Sequence, residues 1–215
     1  MPRPHSHIEG LKMGDDLTLD TWAAPPTLRG PHVTLEPLRP GHAEGLRAAS
    51  ADGELWRRWY TNVPAPDSVD DFIASALAIQ YEGDALAFAV RDAAGDLVGT
   101  TRYYDLDATV PRLSIGYTWY AQRAHRTGLN TEAKLLLLGH AFETLDCIAV
   151  AFETSWFNQA SRTAIARLGA KQDGVLRGHK RHADGSVRDT VVFSIIASEW
   201  PAVKRNLLAK LAEHG

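Results

Sequence analysis

The sequence predicts an α/β protein with one mixed central sheet and helices on both faces. Three observations carry that expectation. Three strand-like segments joined by short turns, at 85–91, 97–104 and 112–120, form an antiparallel meander. After Tyr120 the chain alternates strand and helix, the pattern that covers a sheet with helices. Finally, 215 residues at 45% hydrophobic and 23% charged suit one sizeable core rather than a disordered chain.

Each element has its own signal. Residues 1–31 form an arm punctuated by Pro2, Pro4, Gly10, Gly14, Pro25, Pro26, Gly30 and Pro31. A short strand is expected at 17–22, where Leu17, Leu19 and Thr21 alternate with other residues, and the pair His5 and His7 is read as incidental. A half-buried strand starts at Val33 and Leu35, runs to Leu38 and stops at Pro40. Helices follow at 41–50 and 68–81. The second has Ser68 as N-cap, Asp70 and Asp71 in its first turn, and Phe72, Ala76 and Ile79 as its apolar side. The aromatic loop between them contains Trp56, Trp59 and Tyr60 and closes at Pro64 and Pro66. Beyond the meander, Leu135, Leu138, Phe142 and Leu145 mark a helix over 131–145 at steps of three and four. A strand at 148–154 and a helix at 158–168, ended by Gly169, come next. Strands at 175–181 and 188–196 form a hairpin, and a last helix over 198–212 carries Pro201 in its first turn. The expected division is an arm at 1–31, one domain at 32–196 and a helical extension at 197–215.

Composition excludes several function classes. The single Cys147 allows no internal disulfide and no multi-cysteine zinc site. The apolar run at 135–138, flanked by Lys134 and His140, is far too short for a membrane span, and the N-terminus lacks the apolar core of a secretion signal. A cytoplasmic protein is therefore expected. With 26 acidic and 23 basic side chains, a net charge of −3, the chain lacks the overall positive field of a nucleic-acid binder. His179 and His182 stand three apart on a strand-like segment, on opposite faces, so no shared metal is expected.

Chemistry concentrates between Tyr117 and Lys134. A strand ends, a polar loop with Arg123, Arg126 and Gly128 turns, and a long helix begins. Unpaired N–H groups and the positive dipole end make such a helix start an anion cradle suited to phosphate. The same residues also describe an ordinary strand-to-helix turn capped by Asn130 or Thr131. Neither a Gly-Lys-Ser/Thr phosphate loop nor G-x-G-x-x-G is present to decide between them.

Arg126-Thr127-Gly128-Leu129-Asn130-Thr131-Glu132-Ala133 resembles the pyrophosphate loop of the GNAT acetyltransferases. Asn158-Gln159-Ala160-Ser161-Arg162, followed by Leu168-Gly169-Ala170, is similar to that superfamily's N-x-x-S…L-G-A helix. The likeness runs from about His32 to Ile196 and leans to the RimJ/RimL branch, which acetylates protein N-terminal amines. Two positions depart from the pattern Gln/Arg-x-x-Gly-x-Gly/Ala: His125 stands at its first residue and Asn130 at its last.

The resemblance implies a GNAT fold with a splayed parallel strand pair. It implies acetyl-CoA as donor, with its pyrophosphate on the amides of His125, Arg126, Thr127, Gly128, Leu129, Asn130 and Thr131, and its pantetheine beside Trp119, Tyr120 and Asn158. It implies direct attack by a neutral amine, a backbone N–H for the oxyanion and Ser161 as acid for the leaving thiolate. An N-terminal amine, with a pKa of about 7.7–8.0, asks less of a base than lysine at about 10.4. Glu153, Glu36, Asp105 and His179 are the candidate bases. Trp56, Trp59 and Tyr60, with the hairpin's Arg177, Lys180 and Arg181, fall on the acceptor side, where their charge would suit an acidic peptide. Trp156 and Phe157 fit pocket, core or dimer contacts equally. Cys147 opens a core strand and His140 lies on the long helix; both are expected to pack rather than react. A small-molecule amine as acceptor, a non-catalytic acyl-CoA-binding module and a homodimer all remain compatible with the resemblance.

Overall fold

The computed structural model describes residues 21–213. Its strands are β1 (Leu28–Arg29), β2 (Val33–Pro37), β3 (Ala85–Asp92), β4 (Leu97–Asp107), β5 (Arg112–Tyr120), β6 (Ala149–Ser155), β7 (Lys171–Arg181) and β8 (Val187–Ile196). Besides the helical residues 21–23, its α-helices are α1 (Ala43–Ala51), α2 (Val69–Tyr81), α3 (Leu129–Glu143), α4 (Gln159–Leu168) and α5 (Trp200–Ala212). The strands form one sheet in the order β1-β2-β3-β4-β5-β6-β8-β7. Every neighbouring pair is antiparallel except β5 and β6, which run parallel and so need α3 as their crossover.

Consecutive residues of β5 show that helices cover both faces. Thr118 meets Lys134 of α3, whereas the Trp119 ring lies 6.3 Å from Phe72 of α2. Leu35, Leu46, Phe88, Tyr103, Leu113, Leu137, Leu138 and Ile195 are fully buried between these layers. Each such side chain contributes about 1.5–3 kcal/mol by leaving water. On α5, Trp200, Val203 and Leu207 are buried; Trp200 stacks on Phe142 and donates from Nε1 to Glu143 at 2.7 Å.

Several local expectations change. Of the strand expected at 17–22, Thr21 and Trp22 are helical instead, and Trp22 packs on the core; the rest, like His5 and His7, lies outside the described residues. Ser68 occupies the N-cap position but caps nothing. Its φ of −102° and ψ of 7° continue the 3-10 turn Pro66–Ser68, and its hydroxyl turns to Asp67. Helix α3 starts at Leu129, so Asn130 and Thr131 sit inside its first turn rather than capping it. The sheet also gains β1 within the arm, where Leu28 pairs with Leu35.

What positions the site is the parting of β5 from β6. They pair at Arg112–Ala149, Leu113–Val150 and Ser114–Ala151, and then diverge. Each remains held on its far side, β5 by β4 and β6 by β8 along all seven of its residues. A bulge sharpens the divergence. Between the pairs Thr100–Trp119 and Arg102–Gly116, β5 carries one residue more than β4, and Tyr117 takes a left-handed φ of 50°.

Candidate active site

The parted strands enclose a cavity of about 400 Å³ that passes through the sheet. The ends of β5 and β6 form two walls, from Ile115 to Tyr120 and from Phe152 to Ser155. His125, Arg126, Asn130 and Lys134 line it on one side with Asn158, Ser161, Ile165 and Leu168 of the α4 region. Loop residues Leu55, Arg58, Tyr60, Thr61, Asn62 and Val63 form the remaining wall.

The loop before α3 presents free donors. The N–H groups of Arg126, Thr127 and Gly128 have no acceptor among the described residues, and they precede the positive end of a fifteen-residue helix. Arg126, at φ 61°, is the left-handed residue of the turn. Gly128 is not: its φ is −65°, and a Cβ there would meet the His32 ring at ordinary contact distance. Its freedom is therefore not what shapes the cradle. The His125 ring ties the loop back, its Nε2 donating to the Tyr120 carbonyl at 3.0 Å. Thr127 does the same, donating to Ala124 O and accepting from Leu129 N–H. His125, Arg126 and Asn130 line the cavity; Thr127, Gly128, Leu129 and Thr131 lie beyond its rim, with Leu129 buried in the core. Arg123 is not available to an anion, because it is engaged with Asp52 and the Leu97 carbonyl. Arg126 has no side-chain partner among the described residues and remains available.

A buried polar group lies beside the bulge. Lys134 donates from Nζ to Thr118 Oγ1 at 2.8 Å, and Thr118 Oγ1 is 2.8 Å from Thr101 Oγ1. No carboxylate pairs with this lysine among the described residues, and burial lowers its pKa to about 7. The buried Arg102 guanidinium stacks over the Tyr117 ring at 4.1 Å and supports the left-handed residue. Sequence reading passed over Lys134, although its place on the stripe Lys134, Leu137, Leu138, Ala141 marks a buried helix face.

The cavity collects some expected residues and leaves others out. Asn158 is the N-cap of α4, its Oδ1 accepting from Ser161 N–H at 3.1 Å. Its amide nitrogen and the Ser161 hydroxyl have no partners among the described residues. Tyr60 lines the cavity. Trp59 instead packs against Tyr60, Phe157 and His182, and Trp56 lies outside with Arg57 over its ring. Of the candidate bases, only Glu153 reaches the cavity, with its Oε2 held 2.6 Å from Lys180 Nζ. Glu36 is bound to Arg91 and His42 on β2, Asp105 accepts from Ser114, and His179 is exposed on β7. The hairpin's positive run is largely spent. Arg177 pairs with Asp189, Lys180 with Glu153, and Arg181 donates to the Gly185 carbonyl. Arg188, which the sequence did not single out, lines the cavity instead. Burial pushes the Cys147 thiol up to about 12, making it a poor nucleophile, and the His140 ring stacks on Tyr103.

This chemistry has relatives. Residues 32–171 match the acetyltransferase (GNAT) domain family. The chain is 23% identical over 173 residues to the uncharacterized N-acetyltransferase YoaA of Bacillus subtilis (strain 168), spanning 80% of this chain and 97% of that protein. A GCN5-related N-acetyltransferase from Brucella melitensis superposes with a TM-score of 0.79 at 30% identity, over 86% of this chain and 85% of that one. Mycobacterium smegmatis RimJ, in complex with CoA-disulfide, shares the fold with a TM-score of 0.71 at 23% identity, over 86% and 93% of the two chains. No helix among the described residues is long and apolar enough to cross a membrane. A parted parallel pair that opens onto unpaired loop amides has thus found its family: the chain belongs to the GNAT acetyltransferases and is an N-acetyltransferase.

Proposed function

We propose that the chain moves the acetyl group of acetyl-CoA to the α-amino group of a protein N-terminus. The observation that carries this reading is the through-sheet cavity, which joins unpaired loop amides on one side to an aromatic and polar mouth on the other. When bound, acetyl-CoA supplies an activated thioester and a thiol leaving group. The chain supplies the rest. The N–H groups of Arg126, Thr127 and Gly128, with the Arg126 guanidinium and the flanking His125, Leu129, Asn130 and Thr131, hold pyrophosphate. The margin of β5 at Trp119 and Tyr120 that faces the gap, paired with β4 but not with β6, and the free amide nitrogen of Asn158 hold the pantetheine in extended form. Ser161, one turn into α4 with its hydroxyl free, donates the proton that the departing thiolate needs. Tyr60 sits at the acceptor mouth, while Trp59 and Trp56 shape the loop behind it.

The preference for an α-amine follows from how little the site offers as a base. Glu153 is the one candidate within reach, and its carboxylate is already engaged in an ion pair with Lys180. An α-amine with a pKa of about 7.7–8.0 is appreciably neutral at pH 7 without help, whereas a lysine side chain is not. RimJ of Mycobacterium smegmatis, bound to CoA-disulfide, supports the donor assignment by its shared fold.

The test is thiol release from acetyl-CoA with peptide N-termini, lysine-only peptides blocked at the N-terminus, and small amines. N-terminal peptides are expected to turn over fastest, and Ser161→Ala to lower kcat by about a hundredfold with little change in acetyl-CoA affinity. Failure of acetyl-CoA to bind at millimolar concentration would overturn the reading.

A further inference from the structure

We propose that Arg188 binds a carboxylate on the acceptor, so that the amine this enzyme acetylates carries an anionic group close by. The inference rests on the transferase reading above and adds the chemistry of the acceptor to it.

The charges lining the cavity are unbalanced. Arg58, Arg126, Lys134 and Arg188 are the basic side chains, and Glu153 is the one carboxylate among the described lining residues. That carboxylate is already held at 2.6 Å by Lys180, which stands directly across the β7–β8 pair from Arg188. Arg126 belongs to the loop beside α3, and Lys134 is hydrogen-bonded to Thr118. Arg188 and Arg58 therefore remain as cations with no assigned counter-charge on the acceptor side.

Arg188 is the more constrained of the two. Its Nε is fully buried and has no hydrogen-bond partner, and none of its guanidinium nitrogens makes an ion pair among the described residues. Around it stand Glu153, already paired with Lys180, the Tyr104 and Tyr117 phenols and the His182 ring. Burial, with Glu153 and Asp105 nearby, drives the Tyr104 phenol far above its ordinary range, so that ring stays neutral and supplies no counter-ion. The adjacent Asp189 is committed to Arg177 and to the Gly178 N–H. An arginine keeps its charge when partly buried, and a guanidinium whose Nε is cut off from water is costly until something anionic meets it. The planar fork suits a carboxylate through two parallel N–H···O bonds.

Position completes the case. Arg188 and the bulged Tyr117 line one cavity, so a carboxylate held by Arg188 keeps its own amine at the opening between β5 and β6. The positive charge that selects the acceptor is thus a single half-buried arginine on β8, not the exposed basic run of the hairpin. Two sources could present that carboxylate: an acidic side chain near a peptide N-terminus, or a free amino acid.

The experiment measures KM in matched pairs with saturating acetyl-CoA. One arm compares peptides bearing Asp or Glu at the second position with their Asn or Gln counterparts. The other compares free amino acids with their amides. The expected result is a KM lower by about tenfold or more for the carboxylate member in one arm, and that arm identifies the source. Arg188→Gln is expected to erase the difference, and Arg188→Lys, which keeps the charge but loses the fork, to retain part of it. Equal KM values within every pair, or a preference that survives in Arg188→Gln, would overturn the proposal while leaving acetyl transfer intact. Absence of thiol release with every amine would instead remove the transferase reading, and this inference with it.

Discussion

Lys134 carries a charge that the fold works against. In an unfolded chain a lysine titrates near 10.4, whereas burial brings this one down to about 7. Between those two values the unfolded chain holds a proton that the folded chain has given up, so stability rises with pH across the window. The penalty is fully present below about pH 7 and absent above about 10.4. Lys134→Met removes the charge and keeps most of the volume. Denaturant midpoints measured from pH 7 to 10 should rise less steeply in the variant than in the parent, and the variant should be the more stable at pH 7. Parallel slopes would mean that water reaches the ammonium group. Residues also show where reading a sequence stops. Lys134 was passed over as a charge flanking an apolar run, although Leu137 and Leu138, three and four steps on, put it on a buried stripe. Arg188 was not legible, because Arg177, Lys180 and Arg181 look equally basic in sequence, and only folding shows which cations find partners.

At the scale of elements, the sites of closest approach set the tolerances. A Cβ on Gly99 would run into the carbonyl oxygen of Trp119 across the β4–β5 pair, next to the bulge. Backbone cannot move aside as a side chain can. Gly99→Ala should therefore destabilise the protein by about 1–3 kcal/mol, measured by urea denaturation, and weaken acetyl-CoA binding as β5 shifts. Asn158→Ala should lose about 1 kcal/mol through the uncapped α4, measured in the same way, and Asn158→Asp should keep the cap. Elements built into the core were well marked in the sequence: β5, covered on both faces, has the expected limits of 112 and 120. Strand β7 begins four residues before its expected start because it is exposed along most of its length, leaving no alternation to follow. Helix α3 begins early because its N-cap is Gly128, which offers no side chain for the cap signal.

The whole molecule is a sheet whose two parts meet weakly at the centre. Strands β1 to β5 and β6 to β8 are each continuous, yet they pair with one another only from Arg112 to Ser114. Helix α3 bridges them as the crossover, and α5 packs along it through Trp200. A donor seated across the gap should stabilise both parts together. At a concentration about a hundred times its Kd it adds about 2.7 kcal/mol, seen as a rise in Tm by calorimetry. Arg126→Ala should need more coenzyme A for the same rise, and an unchanged Tm in the parent would argue against binding in the gap.

The same gap has a colloidal consequence. Unmated strand margins are usually confined to the outside of a sheet, where charge, proline or brevity guards them against other chains. This fold keeps two in its interior, guarded only by whatever molecule fills the space between them. Preparations stripped of coenzyme A should accordingly self-associate faster on storage or mild heating than replete ones, which light scattering would register. Supplying the nucleotide during purification would then act as a preservative, independently of any turnover.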